Sequence, residues 1–230
     1  MSITIYQGNT HSLPPSDINI VIDVIRAFTF AHYAFINEAN RILLVRSIEK
    51  AFLFKRKFPH YILAGEVNGL LIKGFDLDNS PKLVSATILT GKTLVQKTTN
   101  GVEATLNSLN TKQLFVTGFS NARTTAKHIQ QLYQISNKNL RIHLIASHPT
   151  GDEDLACAEF MESIILGKQT TASETIKRIE HSDAAKKFYD SQNQDFNQED
   201  MTLCTKEINY PFIMKVNTEC KIPTIERIDI

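Results

Sequence analysis

Four short runs in this 230-residue chain gather carboxylates, hydroxyls, amides and an arginine where strands are expected to end: Asp23-Val24-Ile25-Arg26, Gly65-Glu66, Thr98-Thr99-Asn100-Gly101 and Asp152-Glu153-Asp154. Carboxylates without supporting cysteine or paired histidine suit a hard, oxygen-seeking cation. Mg2+ is the natural candidate, because it keeps several waters and takes only one or two carboxylates alongside a substrate phosphate. The Thr-Thr-Asn-Gly run, placed after a strand and opening a helix, offers hydroxyls and backbone N–H groups to an anion such as phosphate. Arg26 carries a planar fork suited to a carboxylate, sulfonate or phosphate, which a lysine would not reproduce. Each run also has a plain structural reading: Asp23 and Asp152 as helix caps, Thr-Thr-Asn-Gly as a capped turn. Glu66, between glycine and valine, is harder to explain that way. Of the seven histidines, His148 stands where a general acid is useful, although a solvated loop histidine is the plainer reading.

The elements that must position these groups alternate apolar runs with amphipathic stretches, the pattern of an α/β chain with helices covering a sheet. Strands are expected at 18–24, 41–46, 61–64, 93–96, 113–117 and 140–146, and helices at 29–39, 47–58, 100–108, 121–135, 152–166 and 173–189. Residues 18–24 (INIVIDV) are almost continuously apolar and β-branched, as in a strand buried on both faces. The expected fold is a three-layer α/β/α arrangement with a mostly parallel or mixed central sheet. In such sheets, ligands bind beyond the carboxyl ends of strands, where segments remote in sequence meet. Nine glycines are present, and five of them (Gly65, Gly69, Gly74, Gly91, Gly101) fall close together, which marks shaped loops. The polar stretch 191–200 reads as a surface loop. Residues 210–216 and the segment around Pro223 read as a last strand or edge, so 1–230 is expected to form a single domain.

With 25 Lys+Arg against 24 Asp+Glu, the net charge of +1 provides no field to gather nucleic acid or an anionic membrane. A small anionic molecule is the expected partner, and a homo-oligomer is compatible with the composition. Apolar runs are too short for a membrane span, and Met1-Ser2-Ile3-Thr4 lacks the basic start of a secretory signal, so a cytoplasmic location is expected. Three cysteines, Cys157, Cys204 and Cys220, fit neither a disulfide framework nor a zinc or iron–sulfur site. Phe28, Phe30 and Phe35 read as core.

Two phosphatase patterns compete. Asp76-Leu77-Asp78-Asn79-Ser80 has the spacing of the aspartyl-phosphate motif of haloacid-dehalogenase-type enzymes, but Lys73-Gly74 interrupts the apolar run that should precede it. A different family is matched by several motifs in order: DVIRA (23–27), AGE with Gly69, GFDLDNSP (74–81), TTNG (98–101), GFSNA (118–122) and Glu153-Asp154-Leu155. Together these resemble the magnesium-dependent 2-phosphosulfolactate phosphatases. The resemblance covers residues 23–155 and extends to the C-terminal third only in general character.

The resemblance implies the three-layer fold and Mg2+-dependent hydrolysis of a phosphate ester on a short 2-hydroxy acid, giving sulfolactate and phosphate. By position it carries over Asp23, Arg26, Glu66, Asp76, Asn79, Thr99, Asn100, Glu153 and Asp154. From their chemistry we expect catalytic roles for Asp23, Glu66, Asp76, Glu153 and Asp154, with Asp23, Glu66 and Asp76 holding the metal, and we expect Arg26, Asn79, Thr98, Thr99, Asn100, Gly101 and Asn121 to meet the substrate. The chain departs from the family pattern at Phe28 and Phe30, at Val67-Asn68 in place of an arginine and a glycine, at Asp78 and at Val102. Those departures motivate an alternative, a non-catalytic descendant that binds a phosphorylated or sulfonated metabolite.

Overall fold

The strand expected at 18–24 is β2 (Ser16–Ile22), and burial on both faces explains its β-branched run. Ile18, Ile20 and Ile22 enter one core while Val21 enters another, as a period of two requires. The computed structural model describes residues 1–10, 12–136, 139–190, 192–193 and 195–230. β1 (Ser2–Gln7), β8 (Arg141–Ala146), β2 and β7 (Thr111–Thr117) form one parallel set, and β3 (Arg41–Leu44), β6 (Thr93–Lys97) and β4 (Ile62–Val67) form another. A two-residue strand β5 (Leu70–Leu71) turns back antiparallel on β4.

The C-terminal segment forms strands, as expected of a last strand, but not at an edge. β9 (Phe212–Asn217) and β10 (Thr224–Asp229) form an antiparallel hairpin in the middle of the ten-stranded sheet, whose order is β1-β8-β2-β7-β9-β10-β3-β6-β4-β5. Only Thr224 and Ile225 pair with β3, and the polar residues beyond them leave the sheet core, so the strand looks peripheral in sequence. Because every pairing from β7 through β9 and β10 to β3 is antiparallel, the second set runs opposite to the first. Strand twist of roughly 20–25° per step accumulates over the six steps from β2 to β4. The total, about 120–150°, turns the ends of the reversed set towards those of the first.

The helix α1 (Ala27–Ile36) is buried from Ala27 through Phe35, as an all-round apolar helix must be. Leu44, Leu94, Val116, Met214 and Ile225, one from each of five strands, share one core with it. α5 (Ala122–Ser136) and α6 (Asp152–Ile165) cover the opposite face of the first set, and α2 (Ile48–Lys57), capped by Ser47, covers that of the second. The expected three layers are therefore present. α3 (Pro81–Ser85) and α4 (Gly101–Asn107) complete the inner side.

The single helix expected over 173–189 is two, α7 (Ala172–His181) and α8 (Asp183–Tyr189). Ser182 divides them: its hydroxyl donates to Ile179 O at 2.9 Å and accepts from the Ala185 N–H at 3.3 Å. The stretch expected to be a loop ends in a further helix, α9 (Gln198–Cys204), capped by Asn197. Ser191 and Gln194 lie outside the described residues. Among the described residues, no helix is long and apolar enough to cross a membrane.

Candidate active site

Three of the chemistry-bearing runs lie at strand ends, at β2, β4 and β6, and contribute directly to one cleft of about 510 Å3, while the fourth opens α6 after the loop that follows β8. That volume suits a small molecule. Asp23, Arg26, Glu66, Asn79, Thr99 and Asn100 line it, together with His148 and a wall from α8 that includes Asp183 and Lys187.

Asp23 sits where β2 gives way to α1. Its Oδ1 accepts from the Ala27 N–H at 2.9 Å, so the cap reading is correct as far as it goes. Burial, reinforced by the charges of Glu66 and Glu153, pushes its carboxyl up to about 7. Gly101 is required by this approach: a Cβ there would lie 2.5 Å from Asp23 Oδ2 and 3.0 Å from the Ala27 methyl. Gly101 thus packs behind Asp23 rather than lining the cleft.

Glu66 stands one residue before the end of β4 and ties the loops after β4 and β6 together. Its Oε1 accepts the Thr99 N–H, and its Oε2 accepts the Gly69 N–H and, at 3.0 Å, the Thr99 hydroxyl. The Thr99 amide, expected to be free for an anion, is therefore taken. Gly65, which precedes Glu66, has φ +148, and a Cβ there would collide with Lys97 O at 1.9 Å, so only glycine lets β4 pass β6 at this point.

Glu153 and Asp154 open α6 beneath the cleft, and both are buried. Asp154 accepts from the Val24 N–H at 2.7 Å, the His148 N–H at 3.0 Å and the Ser147 hydroxyl at 3.0 Å, clasping the ends of β2 and β8. The same hydroxyl lies 3.3 Å from Asp23 Oδ2, so one proton serves two carboxylates. Burial, then the charges of Asp23 and Glu153, raise Asp154 well above the carboxylate range. Burial also raises Glu153, and its Oε2 has no hydrogen-bond partner among the described residues. Gly151 makes room for it, since a Cβ there would lie 2.4 Å from Glu153 Oε1. His148 accepts the Thr150 N–H on Nδ1 at 3.3 Å, which leaves the proton of the neutral ring on Nε2.

Several expected residues lie elsewhere. Asp76 is not at the cleft: it accepts from Lys55 Nζ at 2.9 Å and from the Leu63 N–H at 2.7 Å, bracing β4 well before Glu66. The metal set Asp23, Glu66 and Asp76 is therefore not assembled, and among the described residues no three His, Cys, Asp or Glu side chains form a ready metal cage. Asn121 accepts from the Thr117 hydroxyl at 2.9 Å and the Gly118 N–H at 3.3 Å, joining β7 to α5 away from the cleft. Thr98 accepts from the Val102 N–H at 3.0 Å and closes the first turn of α4. A polar residue at a strand end gives the same sequence signal whether it caps a helix or meets a ligand.

Arg26 lines the cleft, but much of its fork is occupied. Nη1 donates to Asp200 Oδ2 at 2.7 Å and lies 3.5 Å from Asp78 Oδ2, while Nη2 donates to Gly69 O at 3.0 Å. Its guanidinium also lies against the rings of Phe188 and Phe196. Asp200 and Lys187 are the residues sequence reasoning missed. Asp200 falls in a stretch that reads as polar loop, and Lys187 is one lysine among several on a helix whose break at Ser182 leaves no sequence mark.

A family model described as 2-phosphosulpholactate phosphatase matches residues 4–228. A probable 2-phosphosulfolactate phosphatase of Bacillus subtilis (strain 168) is 55% identical over 231 residues, covering 100% of both chains. Proteins given the same name in Caldicellulosiruptor saccharolyticus and Carboxydothermus hydrogenoformans are 33% identical over 165 residues and 32% identical over 169. Those alignments cover 70% and 72% of this chain, and 67% and 64% of the relatives. The likeness thus extends through the C-terminal third that builds the α8 wall and the central hairpin, and the chain belongs to the 2-phosphosulfolactate phosphatase family, a family of phosphoric monoester hydrolases.

Proposed function

We propose that this protein is a cytoplasmic, Mg2+-dependent phosphatase that hydrolyses 2-phosphosulfolactate to sulfolactate and inorganic phosphate. The observation that carries the reading is the meeting of Asp23 and Glu66 in one small cleft, with Glu153 buried beneath it and both glutamates close enough to raise Asp23. Like charges buried together are costly unless a cation or proton joins them. An all-oxygen donor set fits a hard divalent ion, and the unpartnered Oε2 of Glu153 leaves a buried acceptor for it. Asp23 and Glu153 are the residues we assign to the ion, with the remaining acceptor capacity of Glu66 beside them. When bound, Mg2+ supplies neutralisation of phosphoryl oxygens and a more acidic bound water.

The chain's own residues bind and orient. Asn100, fixed by the bond from Asn9 Nδ2 to its Oδ1 at 2.9 Å, presents a held carboxamide at the phosphate end. Asn79 lines the cleft with its Oδ1 free of partners among the described residues, and is available to position the attacking water. His148 offers its Nε2–H as a hydrogen-bond donor to the departing C2 oxygen, which takes its proton from water in the cleft. Glu66 holds the loops after β4 and β6 in register through Gly69 and Thr99, so donors on both loops meet one substrate. Arg26, already paired with Asp200, forms the floor.

The test is phosphate release by purified protein from 2-phosphosulfolactate and other short 2-phospho-acids, with Mg2+ and with EDTA. Release from 2-phosphosulfolactate that EDTA abolishes and Mg2+ restores is the expected result. Binding of that ester without any release, at every Mg2+ concentration, would support the non-catalytic alternative.

A further inference from the structure

The reading above leaves one cation of the cleft without a task. Lys187, half-buried on α8, lines the cleft but makes no hydrogen bond or ion pair among the described residues. Arg26 differs, since Asp200 and Asp78 hold its fork directly, whereas the charges of Glu66, Glu153 and Asp23 reach Lys187 without an ion pair among the described residues. Lys187 Nζ lies over the faces of Phe196, at 4.6 Å, and Phe188, at 5.7 Å. Gly69, with φ +84, keeps that space open: a Cβ there would stand 3.0 Å from both Lys187 Nζ and the Phe196 ring. Burial, and then the charge of Arg26, hold the pKa of the lysine below its ordinary value. An ammonium so placed, stripped of part of its water and flanked by rings, gains more from an anion than one in open solvent.

The two ends of the substrate differ in what they want. A phosphate monoester concentrates up to two charges on basic oxygens that compete well for a hard cation. A sulfonate spreads one charge over three weakly basic oxygens and competes poorly with water for such an ion. It is better served by an ammonium with apolar neighbours. Resting on the phosphatase reading of this cleft, we infer that Lys187 is the specificity-determining residue that grips the sulfonate of the substrate, on the α8 wall facing the carboxylates that serve the phosphate. The break at Ser182 gains a role from this, because it gives α8 its own start beside the cleft.

The experiment compares wild type with Lys187→Met and Lys187→Arg on 2-phosphosulfolactate and on 2-phospholactate, which has a methyl group in place of the sulfonatomethyl group. Lys187→Met is expected to lower kcat/KM for the sulfonated ester by about 10- to 100-fold, mostly through KM, the worth of one charged hydrogen bond. Its effect on 2-phospholactate should stay within about threefold, since the interaction lost there was never made. Lys187→Arg, which keeps the charge, should recover most of the loss. An equal loss on both esters, or none on either, overturns the assignment. If wild type releases phosphate from neither ester, the phosphatase reading fails by itself, and calorimetry with sulfolactate then decides the fate of Lys187. Binding by wild type that Lys187→Met weakens at least about tenfold sustains the assignment, and equal binding by both, or none by wild type, ends it.

Discussion

Arg26 and Asp200, 174 positions apart, meet in an ion pair of 2.7 Å with side chains exposed by only 2% and 0%. Asp200 also accepts the Ser80 hydroxyl at 2.6 Å and the Lys82 N–H at 2.9 Å. One carboxylate thus joins the end of β2, the start of α3 and the C-terminal helix α9. A buried pair of this kind adds little over apolar packing, but removing one partner strands the other charge.

Asp200→Ala is therefore expected to cost about 3–5 kcal/mol of unfolding free energy, measured by urea denaturation. It should also lower kcat/KM, since the Arg26 floor loses its anchor. A cost under about 1 kcal/mol would place the pair with ordinary surface bridges.

Gly101→Ala probes the packing behind Asp23. The new methyl must push Asp23 or α4 aside, because it would start 2.5 Å from Oδ2. We expect kcat/KM to fall by about 100-fold, as for a displacement near 1 Å in a catalytic group. Full activity in a folded Gly101→Ala enzyme would show that the position of Asp23 does not matter.

Asp76→Asn separates the two phosphatase chemistries. Asp76 braces Leu63 and pairs with Lys55, and the Asp76 and Lys55 side chains are partly exposed, so the change should alter stability by about 1 kcal/mol or less. Phosphate release should stay within about threefold of wild type, and no phosphorylated enzyme should be trapped. A labelled acyl phosphate lost in Asp76→Asn would restore the dehalogenase-type mechanism.

His32 predicts a limb of the acid unfolding curve. Burial, and then Arg227, lower it from 6.5 to about 3, and it contacts the Ser120 hydroxyl at 2.8 Å. Because the unfolded chain binds the proton first, this stability is complete above 6.5 and drains away as pH falls towards 3. Between pH 7 and 4.5 the loss is about 2–3 kcal/mol. His32→Gln should lack that component, so its deficit against wild type in urea must shrink across this range. A constant deficit would mean that His32 binds its proton equally in the folded and unfolded chain.

Much of the frame was legible. Strands 18–24 and 113–117 announce themselves because burial on both faces leaves no polar alternation, and the ends of β2 and β4 carry Asp23 and Glu66 where a ligand cleft belongs. A strand near 210–216 was legible, but the central place of the hairpin was not, because Lys215 and Glu226 interrupt its apolar character and only two residues of β10 reach β3. Asp76 and Asn121 misled for a physical reason: a carboxylate or carboxamide that accepts backbone N–H groups looks the same in sequence as one that meets substrate. Lys187 was invisible, since its meaning depends on Gly69 and two phenylalanines that only the folded chain brings beside it.

The most direct trial of the account is phosphate release from 2-phosphosulfolactate by Asp23→Asn beside wild type, at saturating Mg2+, with matched unfolding curves. The account predicts that turnover drops at least about 100-fold, the scale of losing one preorganised charge at the reacting group. Turnover within about fivefold of wild type would contradict it, and the shared carboxylate cleft would then have no part in the reaction.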